Sequence, residues 1–220
     1  MAKVSEQLLG VVNGKIGNLV YRKVGDKTFV SVRPSKYNVT GTVESTKVKN
    51  GFKNLVVFSS FINSIPLLHA VWSNKHVKGN RTYNKIFSHN KRFIKADKIN
   101  QDYLILPAQD LAKHYIFDLK IEVDTILLHF IDDFEYDLNL ELNYNAIFIL
   151  YSEKKKQFTY QVNTLEPPEL NTRTLVTLPI DKTNLLFLQN SPKCIIYGGI
   201  IVANNEGKIL SWSNTKGIVK

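Results

Sequence analysis

"YNAIFILYSEKK", residues 144–155, holds an unbroken apolar run over 146–151, closed by a charged turn. A run this short and this rich in Ile, Phe and Tyr reads as a buried strand rather than a helix. Working outward, "YIFDLKIEV" (115–123), "TILLHFI" (125–131), "KQFTYQVN" (156–163), "TRTLVTLPI" (172–180), "CIIYGGIIVAN" (194–204) and "GKILSWSN" (207–214) repeat the theme. Turn-like or charged stretches separate them, and "LNLEL" (138–142) adds a further candidate. From Leu104 onward the chain therefore predicts an antiparallel β-sandwich, Ig-like in class. Strand order is not readable from this pattern.

Upstream the period changes. From Lys47 to Ile65, the residues Val48, Phe52, Leu55, Val56, Ser59 and Ile62 fall on one side of a 3.6-residue repeat, which predicts an amphipathic helix. Pro66 ends or kinks it, and "LLHAVW" carries the apolar run on to Trp72. "RTYNKIFSHNKRFIKAD" (81–97) predicts a second helix. Tyr83, Ile86, Phe87 and Phe93 are expected on its buried side, and Arg81, Lys85, Lys91, Arg92 and Lys95 on its exposed side.

The amino-terminal stretch "GVVNGKIGNLVYRKVGDKTFVSVRP" (10–34) reads as a β-hairpin turning at Gly25-Asp26, a Gly-X pair suited to a type II′ turn. Alternation places Leu19, Tyr21, Val30 and Val32 on one face, and Val20, Arg22, Lys27, Phe29 and Ser31 on the other. A lone two-stranded hairpin is marginal in water, so this one is expected to lie on something. The expected organisation is α+β: a glycine-rich arm over 1–41, a basic helical segment over 42–103, and the β-sandwich over 104–220.

With 220 residues, 44% of them hydrophobic and 22% charged, the composition is that of a globular chain with ample core material. No run approaches the ~18 apolar residues of a membrane-spanning helix, and "MAKVSEQLLG" lacks the basic-then-apolar order of a secretory signal. Charge is unevenly spread: residues 1–98 hold 18 Lys+Arg against 4 Asp+Glu (+14), and residues 99–220 hold 11 against 15 (−4). Such a split suggests nucleic acid, an anionic surface, or the acidic half of a neighbouring copy as partner.

Chemistry is thinly signalled. The single cysteine, Cys194, excludes an internal disulfide and a four-cysteine zinc site, and its strand context predicts a buried thiol. His69, His76, His89, His114 and His129 form no HExxH pattern, so no metal and no cofactor are expected. Gly10, Gly14 and Gly17 are not followed by Gly-Lys-Ser/Thr, which excludes a phosphate loop of that type. No Gly-x-Ser-x-Gly elbow is present either, so the chain is expected not to be an enzyme. "DDFEYD" gathers Asp132, Asp133, Glu135 and Asp137 into a candidate docking surface for a basic neighbour, since the glycine and glutamate of a calcium loop are missing. Basic residues interleaved with aromatics nominate Arg22, Lys23, Arg81, Lys85, Lys91 and Arg92 as a nucleic-acid alternative. A carbohydrate-binding sandwich would call for Trp72 or Trp212 exposed on a concave face.

The order "GKIGNLVYRKVGDKTFVSVRP", then a polar spacer, then "STKVKNGFKNLVVFSSFINSI", resembles an uncharacterised Bacteroidota family of proteins of about this length, often found near phage-like genes. Gly14, Gly17, Gly25, Lys27, Arg33 and Pro34 match its GKIGNLVYR…GDK…VRP pattern, and "IIVANNEGKILSWSN" looks like its ending. Lys47, Lys49 and Asn50 stand where that family's helix usually carries Gln-Arg positions. The resemblance implies a hairpin arm plus a β-sandwich with no assigned activity. It agrees with the reading the residues favour: a structural subunit of a virion-like particle or extracellular filament, otherwise a cytoplasmic protein. Copies of the chain would associate as a homo-oligomer by strand addition of the arm, through Leu19, Tyr21, Arg22, Phe29, Val30, Val32 and Arg33.

Overall fold

The computed structural model describes residues 2–4, 14–24, 27–33, 41–95, 98–108, 114–133, 141–168 and 172–220. The chain divides into two compact units, Met1–Thr42 and Val43–Lys220.

In the first unit, β3 (Leu19–Val24) and β4 (Lys27–Val32) pair in the predicted register, with Leu19 opposite Val32 and Tyr21 opposite Val30. The hairpin is not solitary, however. β1 (Ala2–Val4) pairs with β4 and β2 (Gly14–Ile16) pairs with β3, giving a four-stranded antiparallel sheet ordered β1-β4-β3-β2. Gly17, at φ +55°, starts the tight turn from β2 into β3, a backbone state that glycine reaches without steric cost. The predicted Gly25-Asp26 turn lies outside the described residues.

The second unit is α+β and three layers deep. Its middle layer is a five-stranded antiparallel sheet in which β7 (Leu142–Ser152) and β10 (Cys194–Asn204) are central. β8 (Gln157–Leu165) flanks β7. β11 (Ile209–Trp212) and β12 (Lys216–Val219) share the far edge of β10 end to end. A three-stranded sheet, β5-β6-β9, covers one face: β5 (His114–Ile121), β6 (Thr125–Asp132) and β9 (Arg173–Pro179). The helices α1 (Val43–Ser64), α2 (Pro66–Ser73) and α3 (Thr82–Asn90) cover the other.

Alternation along β7 and β10 therefore feeds two cores. Ile147, Ile149 and Tyr197 join Leu55, Phe58, Ile62 and Trp72 on the helical side. Phe148, Leu150, Ile196 and Ile200 join Ile116, Leu128 and Phe130 between the sheets. With both faces covered, neither strand needs a polar alternation, which is why "AIFILY" (146–151) and "CIIYGGIIVA" (194–203) are continuously apolar. Cys194 is buried among them, and burial raises its thiol pKa. Gly198 and Gly199 allow close approach at the centre of β10. A Cβ on Gly199 would lie 2.4 Å from Leu106 on the helical side, and one on Gly198 would lie 3.2 Å from Leu119 on the other.

Pro66 supplies the first turn of α2 and sets it at 99° to α1. No helix among the described residues is by itself long and apolar enough to cross a membrane. The buried stripe of α1 is Gly51, Leu55, Phe58, Ser59 and Ile62. It is rotated from the predicted face, so Val48, Phe52 and Val56 remain exposed. α3 stops at Asn90, short of the predicted end. The Asn90 amide donates to the Ile86 and Leu104 carbonyls at 3.1 and 3.0 Å and accepts from the Leu104 N–H at 2.6 Å, so a side chain takes the place of further helical bonds. A short helix, α4 (Lys182–Gln189), interrupts the strand series after β9, with Asp181 accepting the Asn184 N–H at its amino end.

The kink between β11 and β12 ties the layers together. Ser213 Oγ accepts the Ile200 N–H at 2.8 Å. Asn214 accepts from the Ile116 N–H at 2.7 Å and donates to the Ile116 carbonyl at 3.2 Å. Thr215 Oγ1 accepts from both Ile105 and Leu106 N–H.

Candidate functional site

On the amino-terminal sheet, register places Ile16, Leu19, Tyr21, Val30 and Val32 on one face. Val32 is 70% exposed and Ile16 54%, with Leu19 also exposed and Tyr21 and Val30 half-buried. Lys15, Arg22, Lys27 and the half-buried Phe29 share the opposite face. Arg33 is exposed and closes the ladder, its N–H donating to the Asn18 carbonyl at 2.7 Å. The expected strand addition to the hairpin meets an obstacle in the chain itself. β1 occupies β4 over Thr28–Val30 and β2 occupies β3 over Leu19–Tyr21, so those lengths of hairpin edge already carry a partner strand. The side-chain face remains open where the edges do not.

The proposed acidic surface needs correction at Asp132. This residue is buried, with one oxygen 2.8 Å from His114 Nδ1 and the other accepting the Tyr144 hydroxyl at 2.6 Å. His114 and Tyr144 are buried as well, their rings edge to face. The cluster clamps β5 and β6 to β7 across the core, and its carboxylate faces no solvent. Asp133 is exposed; Glu135 and Asp137 lie outside the described residues.

The basic set also divides. Arg81, Lys91 and Arg92 are exposed, and the Arg92 guanidinium lies 4.7 Å over the Phe93 ring. Lys85 is not part of this surface. Its stem is buried and its ammonium donates to the Asn74 carbonyl at 3.0 Å, at the carboxyl end of α2, where the helix dipole favours a cation. Burial, then Arg92 and Lys85, lowers the pKa of His89 nearby. Arg22 is exposed on the separate amino-terminal sheet, where Lys23 stands opposite Thr28. Trp72 and Trp212 are both buried, their indole N–H groups donating to the Ile105 and Pro107 carbonyls at 2.8 and 3.0 Å. Their burial counts against the carbohydrate reading, which exposure of either would have favoured. No group of three or more His, Cys, Asp or Glu among the described residues is placed to hold a metal ion.

One surface escaped sequence reading. On the outer side of the three-stranded sheet, the side chains of Phe117, His129, Arg173 and Leu175 lie at a shallow cavity of about 400 Å³, which Phe130 and Thr174 also line. A β-bulge lies between Ile116 and Asp118, which leaves Phe117 as the extra residue. The Arg173 guanidinium sits 5.4 Å over the Phe117 ring, and Tyr115 meets that ring edge-on at 5.1 Å. Asp118 accepts from Lys120 at 2.9 Å, which holds its carboxyl below the usual range. The available signal was "YIFDL", whose outward positions Tyr115 and Phe117 are aromatic where a solvated face would be polar.

No family model matches the chain, and no curated protein does. Among solved structures, a DUF3823 family protein from Bacteroides ovatus is similar at 15% identity and a TM-score of 0.31. The likeness covers 48% of this chain and 53% of that one, so the chain spans about half of that neighbour's length. The structural-genomics target SoR45 is similar at 13% identity and a TM-score of 0.28, over 49% of this chain and 80% of that one.

Proposed function

We propose that the chain is a structural building block that associates with copies of itself through the apolar face of its amino-terminal sheet. The observation that carries this reading is the exposure of Ile16, Leu19 and Val32 on one side of a sheet that forms its own compact unit. A contiguous apolar patch of this kind marks an association surface more often than a solvated one. The occupied lengths of hairpin edge favour face-to-face docking over strand addition there. The resemblance of the Gly14-to-Pro34 motif to a phage-associated Bacteroidota family supports a virion-like particle as the assembly. The test is light scattering after size exclusion of the full chain and of a Leu19→Glu, Val32→Glu variant. The native chain runs as an oligomer and the variant as a monomer; equal masses overturn the proposal.

Exposed Arg81, Lys91 and Arg92 favour contact with nucleic acid as a second reading. Affinity for single-stranded DNA would then fall steeply between two salt concentrations, because neutralised phosphates release counterions. Absence of binding at low salt removes it.

A further inference from the structure

We propose that the outer face of the three-stranded sheet binds an acidic peptide in extended form, Arg173 taking its carboxylate and Phe117 and Leu175 its apolar side chains. The proposal stands on a different unit from the self-association surface and goes beyond it.

Charge is the first argument. Among the described residues Arg173 makes no ion pair, and its guanidinium lies over the Phe117 ring. Register sets Arg173 opposite Ile131 and Leu175 opposite His129, so the imidazole is the diagonal neighbour of Arg173 on the same face. The nearby acid, Asp118, is engaged by Lys120 and by the Leu119 N–H. Among the described residues Asp118 stands directly opposite His129 and is also held by Lys120, which leaves Arg173 as the basic group bordering the aromatic hollow that makes no ion pair. A guanidinium in this setting recognises a planar anion by paired N–H donors, and the aromatic beneath it holds its plane fixed.

The backbone is the second argument. Among the described residues β9 pairs with β6 alone, so its other edge offers main-chain donors and acceptors to an added strand. At the far end Pro179 has no N–H, and its carbonyl already accepts the Gln161 amide at 2.6 Å. An added strand is therefore confined to the half of β9 that carries Arg173 and Leu175. Side chains of an extended peptide alternate between faces, and those two residues apart share one face. A glutamate opposite Arg173 would thus set the residue two positions away, if apolar, against Leu175. A free carboxylate or an acidic sugar could reach the guanidinium but would leave the edge unused, so a peptide fits more of the surface.

The test is fluorescence anisotropy on the full chain, with a short fluorescein-labelled peptide alternating glutamate with valine and threonine. The expected result is a saturable rise. It is weakened about tenfold or more by Arg173→Met, the loss of one charge-assisted contact, and less by Arg173→Lys. Both positions tested, Arg173 and Phe117, are exposed, so Phe117→Ala also folds, and it too weakens binding. N-methylation of the peptide amides that face β9 abolishes binding, and unchanged binding of the methylated peptide overturns the proposal. Equal binding of a lysine-for-glutamate peptide overturns the proposal. So does binding that Arg173→Met leaves unchanged, and so does full competition by glutarate.

Discussion

Two sheets in this molecule are built from the same residue types and meet opposite fates. In the five-stranded sheet, Ile147 and Phe148 point to opposite sides and each is wholly buried. In the amino-terminal sheet, Val32 is 70% exposed although its strand is richer in β-branched residues than β7. Strand propensity is thus shared, and what separates the two is cover: helices and a second sheet for one, a solvent-facing side for the other. Stability resides in the covered sheet, and the association proposed above would use the open one.

The largest test of that contrast is Phe148→Ala, which leaves a void between two sheets and should cost about 3–5 kcal/mol. It is read as a drop in urea midpoint at unchanged slope. A loss no greater than that of Val32→Ala would break the comparison. Next comes Asp132→Asn, which keeps the shape but mismatches the buried His114 and Tyr144 partners. An unsatisfied buried polar group costs about 1–3 kcal/mol, read as a lower thermal midpoint. A smaller effect sharpens the boundary at the protein surface. The Lys98 hydrogen bond, then charge from Lys98 and Lys193, holds Glu153 below its ordinary pKa. A carboxyl depressed in the folded state adds stability above its unfolded pKa and loses it as pH falls through the folded value. Glu153→Gln should therefore flatten the acid limb of the stability profile while costing about 0.5 kcal/mol at neutral pH, as exposed pairs do. Smallest of all, Val32→Thr should change unfolding stability by less than about 0.5 kcal/mol, while lowering the mass seen by light scattering.

Much of the architecture was legible because hydrophobic period reports cover. The strand runs after Leu104, the break at Pro66 and the hairpin register all follow from local patterns that tertiary contacts did not overturn. Other features were not legible for physical reasons. α4 occupies "KTNLLFLQ", which has no clean apolar stripe and is anchored by its Asp181 cap and the Thr159 contact to Asn184. The helical period was visible in α1, but its buried stripe includes Gly51, which carries no hydropathy signal, and leaves Val48, Phe52 and Val56 outside it. Asp132 looked solvated because its neighbours in sequence are acidic; only the fold brings His114 and Tyr144 to it. Lys85 misled in the same way, since an ammonium reaching helix carbonyls is written nowhere in its own segment. The Arg173–Phe117 pair joins strands far apart in sequence, and only the outward aromatics of "YIFDL" marked one side of it.

The paired glycines at 198 and 199 have an effect that reaches past their own strand. Where side chains are missing from both sides, the middle layer thins to bare peptide, and Leu119 and Leu106 press toward each other through it. The two interiors are thus separated there by one ply of main chain. Enlarging position 106 would push that ply into position 119, so bulk at these two sites should be tolerated only in exchange, one growing as the other shrinks.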